Sequence, residues 1–255
     1  MHSMVDRLTG YAEILGKVGD NPYTRMAMSR QSTAYVTGHA VAWFTPTPWA
    51  TLVSLNGNTD SAEELFLRLY RSGGIPAGAW LRVPLPAHRF RGIPGVRLRE
   101  EWQFRWICGE PSEQKGETEV VRIPTAQYDE LEELLREGNP DTVVRARGRG
   151  IHEWYGIREG GRLVACGADR SLGGVGYLAA ITVRPGFRRK GLGTTLTAAM
   201  ARRLTPATGA VALGVNTANH GAIKLYERLG FRESVELATF EVASEDGPPH
   251  SGSAR

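Results

Sequence analysis

In the second half of the chain, hydrophobic and polar positions switch cleanly between two periods. Val175–Val183 is a nearly continuous apolar run of strand length, which predicts a central strand covered on both faces. Glu153–Arg158 and Arg162–Asp169 are strand-like segments joined by Glu159-Gly-Gly161, a hairpin signal. Leu192, Leu196, Ala199, Met200 and Leu204 recur at helical spacing, with Pro206 and Gly209 as stop signals. Val120–Ile123 predicts a short strand. Thr125 is placed to cap a helix that buries Tyr128, Leu131, Leu134 and Leu135. Ala210–Val215 reads as a strand, Ala218–Leu229 as a helix, and Phe231–Val242 as one or two final strands.

The first half is less regular. Ala34–Phe44 and Trp49–Leu55 read as strands separated by Pro46 and Pro48, and Leu98–Cys108 as another. Asp60-Ser-Ala-Glu63 resembles a capping box opening a helix that ends at Gly73-Gly74, with Leu65, Phe66, Leu69 and Tyr70 on one face. No phosphate loop or catalytic constellation stands out here, so this half reads as structural or substrate-shaping. Strands and helices alternate without strict order, which predicts an α+β or layered α/β fold.

The punctuation suggests four segments: a smaller N-terminal α/β domain over 1–110, a polar linker over 111–118, a second domain over 119–243 and a disordered tail over 244–255. Hydrophobic residues make up 41% and charged residues 23% of the 255, an ordinary globular balance. No apolar run has membrane-spanning length and the N-terminus lacks a signal-like core, so a cytoplasmic protein is expected. The net charge of +4 is too slight and diffuse to argue for nucleic acid. Cys108 and Cys166 have no metal-ligand spacing, so no metal is expected.

The chemistry concentrates in Val183-Arg-Pro-Gly-Phe-Arg-Arg-Lys-Gly-Leu-Gly-Thr194. A buried strand leads in and an amphipathic helix leads out. The first amides of a helix lack intrahelical partners and carry partial positive charge. Gly191 and Gly193 let an anion approach the backbone, while Arg188, Arg189 and Lys190 add cations beside it. Each charge–dipole contact contributes about 0.3–1 kcal/mol, so several must act together to hold a diphosphate. The spacing fits neither a P-loop nor a dinucleotide fingerprint.

Arg188-Arg-Lys-Gly191-Leu-Gly193 resembles the Arg/Gln-x-x-Gly-x-Gly/Ala signature of the GCN5-related N-acetyltransferase (GNAT) superfamily. Ile181-Thr-Val183-Arg-Pro185 is similar to that family's central strand and its exit. Val215-Asn-Thr-Ala-Asn219 through Tyr226-Glu-Arg-Leu-Gly230-Phe231 resembles its second signature. The resemblance covers about residues 119–243, and one reading of the first half is a degenerate copy of the same fold. It implies a mixed, mostly antiparallel sheet flanked by helices, whose central strands Val175–Val183 and Ala210–Val215 splay apart. It further implies acetyl-CoA, or another short acyl-CoA, in the cleft. The pantetheine arm would pair with the backbone of Ile181, Thr182 and Val183, and the pyrophosphate would lie on Arg188, Arg189, Lys190, Gly191, Leu192, Gly193 and Thr194. Asn219 would contact the pantetheine arm and Tyr226 would act as general acid. The implied reaction is direct acyl transfer to a primary amine of a small molecule or peptide, by a monomer or homodimer.

Many relatives carry a Glu on the central strand, but Val175–Val183 has no carboxylate. Glu153 is the leading substitute as general base, with Asp169 and His152 as alternatives; a water chain or an already neutral amine would also serve. The gap motivates a competing expectation, a non-catalytic acyl-CoA-binding or sensing protein. A nucleotide-binding protein using the same anion nest is a third. Arg145-x-Arg147-x-Arg149 could attract an acidic substrate, although its alternation with Gly148 and Gly150 favours a solvated loop.

Overall fold

The computed structural model describes residues 5–243, so the tail expected to be disordered over 244–255 lies outside the described residues. The chain forms two compact units, one containing residues 5–104 and 235–243, the other residues 105–234.

In the first unit the elements run β1 (Asp6–Leu8), α1 (Tyr11–Val18), α2 (Pro22–Ala27), β2 (Thr33–Val36), β3 (Ala40–Pro46), β4 (Thr51–Gly57), α3 (Thr59–Arg71), β5 (Trp80–Pro84) and the first part of β6 (Val96–Cys108). The chain's last strand, β12 (Glu233–Val242), contributes residues 235–242. The strand order is β1-β2-β3-β4-β5-β12-β6. Neighbours are antiparallel in β1–β2, β2–β3, β3–β4 and β5–β12, whereas β4 and β5 are parallel. On sequence, β12 belongs with the second domain. Its ladder from Leu237↔Pro84 to Glu241↔Trp80, and Phe240 packed against Phe90, place it in the first unit instead. The core there is built from Val53, Leu55, Leu65, Phe66, Leu81 and Phe240.

The single strand expected over Ala34–Phe44 is a hairpin, β2 and β3. Thr37 turns the chain by accepting the Ala40 amide on its hydroxyl and donating its own amide to the Ala40 carbonyl. α3 is capped by the Asn58 side chain, which accepts from Ser61 N at 2.9 Å, and Asp60 lies inside the first turn instead of at the cap.

The second unit contains β7 (Val121–Arg122), α4 (Tyr128–Gly138), β8 (Glu153–Glu159), β9 (Arg162–Asp169), β10 (Gly176–Val183), α5 (Leu192–Thr208), β11 (Ala210–Asn216) and α6 (His220–Arg228). The order is β11-β10-β9-β8-β7, with the end of β6 beside β11. β7 to β10 are mutually antiparallel; β10 and β11 are parallel and linked by α5. One face packs Leu196 and Met200 of α5 on Val164, Leu178 and Leu213. The other packs Leu131, Leu134 and Leu135 of α4 on Trp154, Leu163 and Ala168. This mixed, mostly antiparallel, helix-flanked sheet is the fold class expected from sequence.

Thr125 opens a 3-10 turn and makes no side-chain cap to α4. Pro206 does not stop α5, because in the last turn it removes only one hydrogen bond; Gly209, at φ 68°, ends the helix with its amide on Thr205 O. The segment read as a linker is fastened along α5. Arg202 donates to Glu117 at 3.0 Å and to Pro111 O at 3.0 Å and pairs with Glu110, while the Thr195 hydroxyl donates to Lys115 O.

Gly156, mid-strand in β8, shows how tightly α4's face of the sheet is filled. A Cβ there would lie 2.6 Å from Leu163 Cδ1, 2.8 Å from Ile123 Cδ1 and 2.9 Å from the Ala165 carbonyl. Gly156→Ala is expected to destabilise the protein by about 1–3 kcal/mol. A lowered urea midpoint at unchanged m-value would show it.

Candidate active site

β10 and β11 are paired only at Gly176↔Val211, Tyr177↔Ala212 and Leu178↔Leu213. Beyond Leu178 they part, leaving one edge of β10 open while the other stays on β9 through Thr182↔Cys166 and Val183↔Ala165. The register slips between Ala179 and Thr182, and Ala180 sits at φ 50°, a left-handed conformation that alanine rarely adopts. Such a bulge bends a strand away from its neighbour. The Thr182 hydroxyl, donating to Ala180 O at 2.9 Å, fastens it.

At the end of β10 the chain enters the basic loop. Arg184 is buried, donates from Nε to Leu163 O at 2.8 Å and forms ion pairs with Glu133 and Glu137 of α4. Its guanidinium holds the Glu137 carboxyl below the usual carboxylate range. Arg188 ties the loop to the end of α4, with Nη2 on Gly138 O at 2.8 Å and Nε on Val183 O at 3.2 Å. Gly138 permits this approach, since a Cβ there would stand 2.6 Å from Thr182 Cγ2. Lys190 is drawn to Glu159 at 3.3 Å and lies over the Phe187 ring.

Gly191 caps α5 at φ 86°. Thr194 and Thr195 both return their amides to Gly191 O, so among the described residues the Gly191, Leu192 and Gly193 amides have no partner. They open on a cavity of about 650 Å³. Val183, Arg188, Arg189, Gly191, Leu192, Gly193 and Thr194 of the predicted set line it. The start of α6 forms its other wall, through His220, Gly221, Lys224 and Arg228. Arg188, Arg189, Lys224 and Arg228 thus face one space whose lining includes no carboxylate. The α6 wall was missed on sequence, although His220, Lys224 and Arg228 recur every four residues and so share a helix face.

Ile181, Thr182, Lys190, Asn219 and Tyr226 do not line this cavity. Ile181 is half-buried and Thr182 buried on the parted stretch of β10. Asn219 caps α6, accepting from Ala222 N at 3.1 Å. Tyr226 is buried at 7% exposure, edge-on to Phe231. Burial, with the Tyr177 phenol of β10 as electrostatic neighbour, pushes its pKa up to about 12.

The base candidates lie elsewhere. Glu153 pairs across the sheet with Asp169, and Asp169 with Leu178, which packs on α5. Cross-strand partners share a face, so Glu153 and Asp169 look toward α5. Tyr177, next to Leu178, faces the opposite side. Glu153 is ion-paired with Arg122, Asp169 accepts the Ser171 amide at 2.9 Å, and His152 Nε2 is 2.9 Å from Ser171 O. Among the described residues Glu153 is engaged by Arg122, and Tyr226 packs against Phe231. Among the described residues, no group of His, Cys, Asp and Glu is gathered to hold a metal, and no helix is long and apolar enough to cross a membrane.

Residues 154–239 match the family model described as FR47-like protein. No curated protein matches the chain. Among solved structures, it is similar to a GNAT-family acetyltransferase from Novosphingobium aromaticivorans (18% identity, 82% of this chain and 91% of that one, TM-score 0.54). It is also similar to a GCN5-related N-acetyltransferase from Sphaerobacter thermophilus (16%, 91% and 86%, 0.54) and a GNAT-family acetyltransferase from Colwellia psychrerythraea (10%, 94% and 99%, 0.56). These likenesses show a fold of the kind found in GNAT acetyltransferases, and the FR47-like match lies within the second unit and the strand that follows it.

The Asn219 cap generates a direct test. Asn219→Ala should cost about 1 kcal/mol of stability, and Asn219→Asp or Ser should restore most of it. Thermal unfolding of the three variants reads this out; a loss confined to coenzyme binding would instead make Asn219 a ligand contact.

Proposed function

We propose that this protein transfers an acetyl or other short acyl group from acyl-CoA to a primary amine of a small molecule or peptide, by direct attack in a ternary complex. The observation that carries the reading is the carboxylate-free cavity, with four cations and unpartnered helix amides, at the end of the parted strands. A pyrophosphate there meets backbone donors from α5 and charges from α6. The open edge of β10, including Ile181 to Val183, offers unpaired backbone groups to a pantetheine arm.

In the proposed reaction the N–C bond forms as the C–S bond breaks; one proton leaves nitrogen and one reaches sulfur. Tyr226, neutral across the working range, can only donate, and a phenol beside the departing sulfur stabilises its developing charge. Amides on the open edge of β10 would stabilise the oxyanion. With Glu153 engaged by Arg122, the amine proton passes to water, or the amine arrives neutral.

The first unit we read as a degenerate copy of the same fold. Its β4 and β5 are also a parallel pair, joined by α3 and registered only over Leu52↔Trp80 to Ser54↔Arg82. At the start of α3, however, Asn58 takes the Ser61 amide and Asp60 adds negative charge, which is hostile to phosphate.

Titration calorimetry with acetyl-CoA should therefore give one site per chain. Gly193→Val should weaken binding while preserving the fold, because a Cβ at 193 meets only ordinary contacts, 3.6 Å to Leu225 Cδ1 and 3.8 Å to Val183 Cγ2. Absence of binding, or equal binding by the variant, would overturn the cofactor reading.

Tyr226→Phe should lower kcat by about 10²–10⁴-fold while leaving acetyl-CoA affinity unchanged. Because the Tyr226 pKa is raised to about 12, its ionisation cannot reduce activity below about pH 10. The kcat/KM profile should rise with pH as the amine deprotonates and show no alkaline fall up to that point. Coenzyme binding without turnover on a broad amine panel would instead make this an acyl-CoA-binding protein.

A further inference from the structure

Arg170 is a charged residue with a buried, unpartnered Nε. It follows β9, and its amide donates to Tyr177 O at 2.8 Å, continuing the β9–β10 ladder by one step. Ala168, two residues earlier, packs on the α4 side, and so does Ala179, two residues after Tyr177. Alternation places Arg170 and Tyr177 on that same face. Tyr177 is one residue short of Leu178, where β10 and β11 part, and its phenol neighbours Tyr226. Adjacent strands are about 4.8 Å apart, so an arginine side chain at 170 is within reach of the reacting region.

The state of the side chain is unusual. Nε is buried and has no hydrogen-bond partner, and among the described residues the guanidinium has no ion-pair partner. The terminal nitrogens are not buried in this way. A buried stem with open Nη donors is a fixed fork, the geometry that grips a carboxylate through two parallel hydrogen bonds. Gly150 leaves space beside it; a Cβ there would stand 3.6 Å from Nη2.

The neighbouring loop reinforces the sign of the charge. Arg147 is occupied by Asp129 at 3.3 Å and by the Tyr128 ring, and Arg145 donates one nitrogen to Thr142 O at 2.6 Å. Arg149, next to Gly150, is exposed and has no partner among the described residues. Asp169 and Glu153, the acids closest in register, look toward the opposite face. Arg170 and Arg149 thus lie near one another, with Gly150 beside the Arg170 guanidinium and next to Arg149 in the chain.

We infer that the acceptor is a small amine bearing a carboxylate, that Arg170 binds this carboxylate end-on, and that Arg149 steers it in. The inference rests on the acyltransferase reading and adds the substrate class to it. Arg170 is a specificity-determining residue, so its loss should appear in KM more than in kcat.

The test is a ladder of amines with increasing spacers, glycine, β-alanine, 4-aminobutyrate and 6-aminohexanoate, each set against its carboxamide. Thiol release with acetyl-CoA gives kcat and KM. Wild-type protein should prefer at least one acid over its amide by about 10- to 100-fold in kcat/KM. Arg170→Ala should erase the preference through KM, Arg170→Lys should restore part of it, and acetyl-CoA affinity by calorimetry should stay unchanged in both. Arg149→Ala should weaken the preference more at low salt than at high salt. A preference that survives Arg170→Ala overturns the inference, as does equal or better use of the amides. If no probe turns over, calorimetric titration of the four acids into the CoA-loaded protein decides, and absence of binding overturns it equally. Loss of acetyl-CoA binding in wild-type protein would sink the acyltransferase reading itself, a separately visible result.

Discussion

The candidate active site depends on β10 and β11 ceasing to pair after Leu178↔Leu213. A parallel pair inside a sheet ordinarily satisfies its backbone groups along the whole shared length. Here the bulge at Ala179–Thr182, with Ala180 in a left-handed conformation, diverts one strand. Strain of this kind costs on the order of 1–3 kcal/mol and persists only where surrounding structure enforces it. The enforcement is visible: β9 holds the far edge, Thr182 bonds back to Ala180 O, and Arg184 locks the loop that follows to Leu163 and α4. The unpaired edge that results lies beside a helix start whose first amides are also unpaired. Two sets of exposed backbone donors and acceptors, brought together with cations, suit the long polar ligand ending in phosphates that we propose.

That arrangement was partly legible in the sequence because its parts obey local rules. Gly191 is required at φ 86°, Gly193 leaves the helix start unobstructed, and the apolar run ending at Val183 specifies a buried strand. The helix α5 and the hairpin β8–β9 follow from periodicity and from Gly160-Gly161, both at positive φ. Other features depend on tertiary partners that no local window contains. Lys224 and Arg228 become a wall of the basic cavity only because α6 begins opposite α5. Arg188 and Lys190, read as free cations, are partly committed to Gly138 O, Val183 O and Glu159. Residues 235–242 join the first unit because β5 offers them a complete ladder, a pairing hundreds of atoms away along the chain.

The same distinction explains the base. Glu153 is a plausible choice along the sequence because it opens a strand near the central run, yet strand register decides which way it looks. A one-residue difference in register would turn it to the other face. The observed pairs Glu153↔Asp169 and Asp169↔Leu178 fix it toward α5, where Arg122 engages it. Tyr226 packs in the core that α5 covers, with Tyr177 as an electrostatic neighbour. In the proposed reaction, a phenol raised to about 12 by burial stays a donor and suits stabilisation of a departing sulfur better than repeated proton exchange.

Removing a carboxylate from the central strand also changes what the cleft can accept. A Glu on β10 would repel an anionic acceptor and compete for any arginine placed nearby. Its absence leaves Arg170 with Nε sealed from water and no ion-pair partner among the described residues. Burying part of an unpaired guanidinium is unfavourable for the isolated protein. A ligand carboxylate removes that penalty on binding, so the energy withheld from folding becomes affinity for one class of acceptor. On this argument the missing base and the unpaired arginine have one physical origin: a cleft whose acceptor side is arranged for a negative group carried by the amine.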